Sequence, residues 1–237
     1  MNFIANDIDY KLLNDEIRKA DDITISNCLG QRFIGAGMSD KNIVIEGVPG
    51  NALGAYLNGS TITVKGNAQD ATGDTMNEGK IVIHGSIGDA AGYAMRGGSI
   101  FVKGDAGYRA GIHMKAYKEK SPSLVIGGKA GSFLGEYQAG GTIIVLGLEH
   151  DDSIVGNFTC TGMHGGQMFI RSKCEGVHFP HQVSASAATP DDLKAIEPQI
   201  DEFCKLFGYN KEEIMNSDFT MVKPNSKNPY KQMYVAN

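Results

Sequence analysis

The chemistry available to this chain rests first on six histidines and four cysteines. Cys174, His178 and His181 form a Cys-x3-His-x2-His run, a spacing that could place a thiolate and imidazoles around zinc. A structural zinc site closes with four protein ligands and the run supplies three, so the segment is read as a polar turn. Cys160 precedes His164 by four residues, which could pair a nucleophile with a base, but such pairs are recognised by geometry and not by spacing. The remaining histidines, His84, His113 and His150, are scattered. Gly92-Tyr93-Ala94-Met95-Arg96-Gly97-Gly98 has the look of a phosphate loop, yet it opens no predicted helix and recurs as part of a repeat. The basic stretch from His113 to Lys120 reads as a solvated loop, with contact to an acidic partner as the sharper alternative. No catalytic, cofactor-binding or metal-binding residue is assigned from these patterns, and no bound cofactor is expected.

The elements that must position these side chains repeat every 19 residues. Ile43-Val44-Ile45 returns as Ile62-Thr63-Val64, Ile81-Val82-Ile83, Ile100-Phe101-Val102, Leu124-Val125-Ile126, Ile143-Ile144-Val145 and Met168-Phe169-Ile170. The first residues step by 19, 19, 19, 24, 19 and 25, the base period with inserts of 5 and 6. A fixed period over most of a chain means stacked units. Glycines follow the trios (Gly47, Gly66, Gly85, Gly104, Gly127, Gly147) and a second set leads the next half-turn (Gly35, Gly54, Gly73, Gly92, Gly111, Gly135). Corners with positive φ explain both sets. Met38, Leu57, Met76, Met95, Met114 and Met163 form a further ladder, with Gln138 as its polar member.

Strand side chains alternate faces, so the outer residues of each trio stack inside. The middle residues Val44, Thr63, Val82, Phe101, Val125, Ile144 and Phe169 face outward, and their apolar character predicts that another surface covers part of that face. Propeller blades need about 40 residues per unit, and the leucine-rich and calcium-binding repeat signatures are missing from the sequence. The fold expected is all-β: a single-stranded, right-handed parallel β-helix of about seven rungs, with short helical flanks.

Three segments follow: a helical N-terminal cap over 1–27, the repeat over 28–176, and a helical and extended flank over 177–237. Within the first, a helix is predicted over 10–20, capped by Asp9, with Leu12, Leu13, Ile17 and Ala20 on one face. Thr189-Pro190-Asp191-Asp192 starts a second helix that runs to Phe207 and stops at Gly208, with Pro198 kinking or splitting it. A short turn of helix follows at 211–215, and 223–237 reads as extended or loop. Both flanks would cap exposed strand edges. The net charge of −5 gives no attraction for nucleic acid or anionic membranes. With no basic, apolar leader and no run of 18 apolar residues, a cytoplasmic protein is expected, and unpaired cysteine spacing suits a reducing compartment.

Gly54-Ala55-Tyr56-Leu57 with Gly59, the run from Ile62 to Asp70, the Gly97–Gly104 stretch and the run from Tyr137 to Gly147 resemble the C-terminal GXGXG domain of the glutamate synthase large subunit. One of the subunits of formylmethanofuran dehydrogenase shares that domain. The resemblance covers about residues 28–176 and implies a right-handed parallel β-helix that holds an amidotransferase and an FMN-containing synthase in register. It departs from the whole enzyme at Asn2, where the amidotransferase would have its nucleophilic cysteine, and in having neither an iron–sulfur cysteine cluster nor a barrel pattern for FMN. The resemblance therefore implies a scaffold, not catalytic alone, in a split glutamate synthase-like complex. Its partners would be amidotransferase-like and FMN-domain subunits, and a homo-oligomer is a further expectation. A formylmethanofuran dehydrogenase-like complex for formyl transfer and an autonomous β-helix enzyme are the alternatives.

Overall fold

Each trio carries an apolar residue on either side of its middle position, and only the rungs above and below can bury those side chains. The computed structural model, which describes residues 1–150 and 152–225, shows that solution. Its elements are β1 (Asn2–Ile4), α1 (Tyr10–Ile17), β2 (Asp22–Leu29), β3 (Asn42–Val48), β4 (Asn58–Val64), β5 (Glu78–Ile83) and β6 (Ser99–Val102). They continue as β7 (Ser123–Ile126), β8 (Ala139–Val145), β9 (Gly165–Ile170), β10 (Val183–Ala187), α2 (Pro190–Phe207), α3 (Lys211–Met215) and β11 (Thr220–Pro224). One sheet runs in the order β1 to β9, then β11, then β10. It is parallel through β9, and β11 and β10 add an antiparallel pair at the end. Of the extended stretch expected over 223–237, residues 226–237 lie outside the described residues.

The predicted register holds. Ile43, Ile62, Ile81, Ile100, Leu124, Ile143 and Met168 pair in sequence from rung to rung, and all are fully buried. The rung count is corrected from seven to eight. Ile23-Thr24-Ile25 in β2 pairs with Ile43-Val44-Ile45, so the stack begins inside the segment read as a helical cap. That rung sits 20 residues before the next, and its strand is bulged between Ile25 and Cys28, which breaks the period. The methionine ladder is buried throughout, Gln138 included. A second wall is closed by short bridges linking Ala68, Ile87, Ala106, Ala130 and Val155.

The corners use a left-handed residue at every second position: Ala52, Gly54, Tyr56, then Ala71, Gly73, Thr75, then Ala90, Gly92, Ala94, and likewise onward. Glycine is required only at the centre of each set, where the residue faces inward; a Cβ on Gly54 would lie 2.7 Å from Ile81 Cδ1. In the other glycine set Gly47 and Gly147 have the expected positive φ, and the remaining four are corrected. Gly66, Gly85, Gly104 and Gly127 are absent from the positive-φ residues, and close approach between rungs explains them instead, as at Gly85, whose Cβ would meet the Gly66 carbonyl carbon at 2.8 Å.

Asp9 caps α1 by accepting from the Lys11 amide. Leu13 and Ile17 seal the core, whereas Leu12 points to solvent. Thr189 and Asp192 form a reciprocal capping box at the start of α2, and Gly208 closes it in a left-handed conformation. Pro198 does not split this helix, which runs unbroken because Ile196 and Ile200 bury on either side of the missing hydrogen bond.

Candidate functional site

The sequence candidates do not assemble into reactive pairs. Cys160 turns into the core and meets Met168 Sδ at 3.6 Å, with its thiol pKa pushed up by burial. His164 faces the other way, its Nδ1 donating to the Gly162 carbonyl at 2.9 Å. Cys174 packs against the core while His178 and His181 are exposed. Among the described residues no three His, Cys, Asp or Glu side chains converge as metal ligands. Beyond the buried Met114 the 113–120 insert is exposed and closes in a tight turn, bridged between Tyr117 and Lys120 and tied down by Lys120 to Glu78 at 2.6 Å.

The outward apolar column needs a correction. The outward placement of Val82, Phe101 and Phe169 predicts an exposed surface for partners, yet all three are buried. Ile196, Ile200, Phe203 and Cys204 of α2, with Phe219 and Met221, pack over Phe101, Val125, Ile144 and Phe169. From Phe101 to Phe169 the chain covers this face itself, so these positions are not open to a partner.

The structure gathers groups that are scattered in the sequence. A cavity of about 360 Å³ between the stack and the C-terminal flank is lined by His84, Lys103, Asp105, Glu149, His150 and Tyr209. A polar ladder forms its floor. Asn67 Oδ1 accepts from the Ser86 amide (2.9 Å), Ser86 Oγ from Asp105 (3.1 Å), and Asp105 Oδ1 from Lys129 (2.7 Å). These residues recur at the repeat spacing, which is the signal that could have found them. His150 Nε2 lies 3.0 Å from the same Asp105 oxygen, and the Tyr209 hydroxyl donates to Glu149 at 3.3 Å. Burial, then Lys65 and Lys103, holds the His84 pKa below 6.5, and burial, then Glu149, raises that of Tyr209. Asp105, His150, Glu149 and Tyr209 are thus paired inside the chain, and the arrangement clasps the loop after β8 onto the stack.

The corners on the solvent side carry a different surface. Phe33, Tyr56, Tyr93, Tyr108 and Phe158 are exposed there. Some of them stand in aromatic rows: Tyr93, His113 and Tyr137 follow one another at ring spacings of 5.9 and 5.2 Å. Arg109 lies 4.7 Å over the Phe133 ring, which stacks on Phe158 at 5.0 Å. Arg109 is held in turn by Glu136 at 3.1 Å. Aromatic side chains and arginine held in ordered positions are the residue types enriched where proteins bind each other.

A family model described as the GXGXG motif matches residues 6–227. An uncharacterized protein of Methanocaldococcus jannaschii is 45% identical over 246 residues, covering 97% of this chain and 94% of its own length. Among solved structures, a chain in the formyltransferase/hydrolase complex of Methylorubrum extorquens, crystallised with methylofuran, superposes with a TM-score of 0.63 at 21% identity, over 85% of this chain and 72% of that one. That likeness is one of fold. Among the described residues, no helix is long and apolar enough to cross a membrane.

Proposed function

The chain belongs to the GXGXG-motif family, and on that premise we propose that it is a scaffold subunit of a split glutamate synthase-like complex, working in the cytoplasm. It holds an amidotransferase-like subunit and an FMN-bearing synthase subunit in fixed relative positions, and so serves nitrogen metabolism through an oxidoreductase assembly without carrying out catalysis itself. The observation that carries this reading is the ordered aromatic surface on the corners. It extends from the first corner, at Phe33, to the last, at Phe158, so two partners can dock at different rungs of one rigid wall. Two of the paired groups in the His84 cavity fit the same role, because a clasp made of Asp105 and His150 stabilises the frame instead of facing a substrate.

A second reading has its own observation. The solved neighbour is a chain of a formyltransferase/hydrolase complex, and a scaffold in an assembly of that kind would use the same fold. Affinity purification of the tagged chain from its native cells separates the two. Co-purifying amidotransferase-like and yellow, flavin-bearing subunits support the first reading, and formyl-transfer subunits support the second. Isolation of the chain without stoichiometric partners, or glutamine hydrolysis by the chain alone, overturns the scaffold role. Replacing Tyr93 and Phe158 by Ala should weaken subunit retention by about tenfold or more, as expected for exposed aromatic anchors.

A further inference from the structure

A cavity of about 680 Å³ opens where β8 and β9 begin, beside the 113–120 insert and apart from the His84 cavity. Its origin is local. β8 and β9 shift register between Ala139 and Thr142, where Gly140 and Gly141 together face Gly166, and these residues without side chains line the opening. Behind that bulge stands Gln138, the buried polar member of the methionine ladder. Its Nε2 donates to the carbonyls of Gly140 (3.2 Å), Gly141 (3.2 Å) and Gln167 (3.4 Å). Those carbonyls therefore point at an interior amide and not into the cavity.

The one charged side chain among the lining residues is a cation. Lys115 stands at the rim, and no acidic side chain is among the lining residues, on a chain whose net charge is −5. Thr142 Oγ1 accepts from Gln167 Nε2 at 3.2 Å, which leaves its own hydroxyl proton to give. Because Nδ1 of His164 donates to the Gly162 carbonyl, Nε2 is the ring atom left for a ligand. We propose that this cavity binds a small organic carboxylate that also carries a hydroxyl group. The carboxylate sits against Lys115 and the Thr142 hydroxyl, and the ligand's own O–H donates to His164 Nε2. The size lies within the range of small-molecule sites. The proposal stands on this cavity alone and not on the identity of partner subunits.

The test uses the full chain with L-malate as the probe, and inorganic phosphate and the neutral diamide of malate as controls. Titration followed by proton NMR of the imidazole signals should give a saturable shift of one histidine, absent in His164→Gln. Calorimetry should show affinity reduced about tenfold in Lys115→Met. The diamide should not bind. Both substituted residues lie at the surface or half-buried, and unchanged thermal melts will show that both variants are folded. Failure of malate to saturate, equal binding to Lys115→Met, or phosphate binding as tightly as malate overturns the proposal.

Discussion

Replacing Phe203 by Ala should detach the C-terminal flank from an otherwise intact stack. Phe203 is fully buried and reaches the wall so closely that a Cβ on Gly127 would lie 2.8 Å from its Cζ. It also packs edge-on against Phe207 at 4.8 Å and stacks with Tyr209 at 5.7 Å. Truncating a buried phenylalanine costs about 3–5 kcal/mol. That is comparable with a large share of the ~5–15 kcal/mol that holds a typical protein folded. The inward residues of the eight trios lose no contact, since they belong to a core separate from the one under α2. The loss should therefore appear as opening of α2, α3 and β11, with Phe101, Val125, Ile144 and Phe169 brought into water. Limited proteolysis should cut within 189–219, a hydrophobic dye should bind, and gel filtration should show self-association of the uncovered face. A loss below about 1 kcal/mol in denaturant melts, with cleavage rates unchanged, would refute the claim that Phe203 anchors the flank.

Ile81→Ala, in the middle of the inward column, should cost about 2–5 kcal/mol in denaturant melts, and a change below about 1 kcal/mol would contradict its core placement. Burial, together with Lys65 and Lys103, lowers the His84 pKa, so the unfolded chain binds the proton more readily. The resulting stability is fully present above the ordinary value of 6.5 and declines as pH falls through it toward the lowered folded value. His84→Gln should flatten that decline, and identical pH profiles would refute the assignment. Burial raises the Cys28 thiol to about 11 and pushes Cys160 up as well, so neither should react with a thiol reagent at neutral pH until the chain is unfolded. Labelling of either in the native state would show that the core opens.

Seven of the eight trios were legible because β-branched residues recur at a fixed step and the strand period places them on one face. The rung at Ile23 was not, since its step is 20 and a helix precedes it. The second helix was visible from Thr189 and Pro190, and the apolar middle positions showed that something covers them. That the one covers the other depends on where a chain of loops returns, which no local pattern records. The same holds for the cavity groups. Asn67, Ser86 and Asp105 announce themselves by spacing, whereas His150 reaches Asp105 only because the loop after β8 folds back. Gln138 stands out in the sequence as the polar exception in its ladder, but the register slip beside it is a property of paired strands.

A stack in which each rung touches only its neighbours is a one-dimensional array, and such arrays fray from their ends instead of melting at once. Helix α2 changes that arithmetic for part of the molecule. Glu202 reaches Lys80 in β5 at 2.5 Å, Phe203 lies over Gly127 beyond β7, and Arg171 after β9 bonds Ser217 in the flank at 3.2 Å. One segment thus ties the rungs from β5 to β9 together, so that none of them can leave alone. Between β2 and β4 the outward residues Thr24, Val44 and Thr63 are only half-buried and have no such strap. The molecule should accordingly behave as two zones. Amide exchange in the strapped rungs should track global unfolding, while protection should fall stepwise toward the amino-terminal rungs.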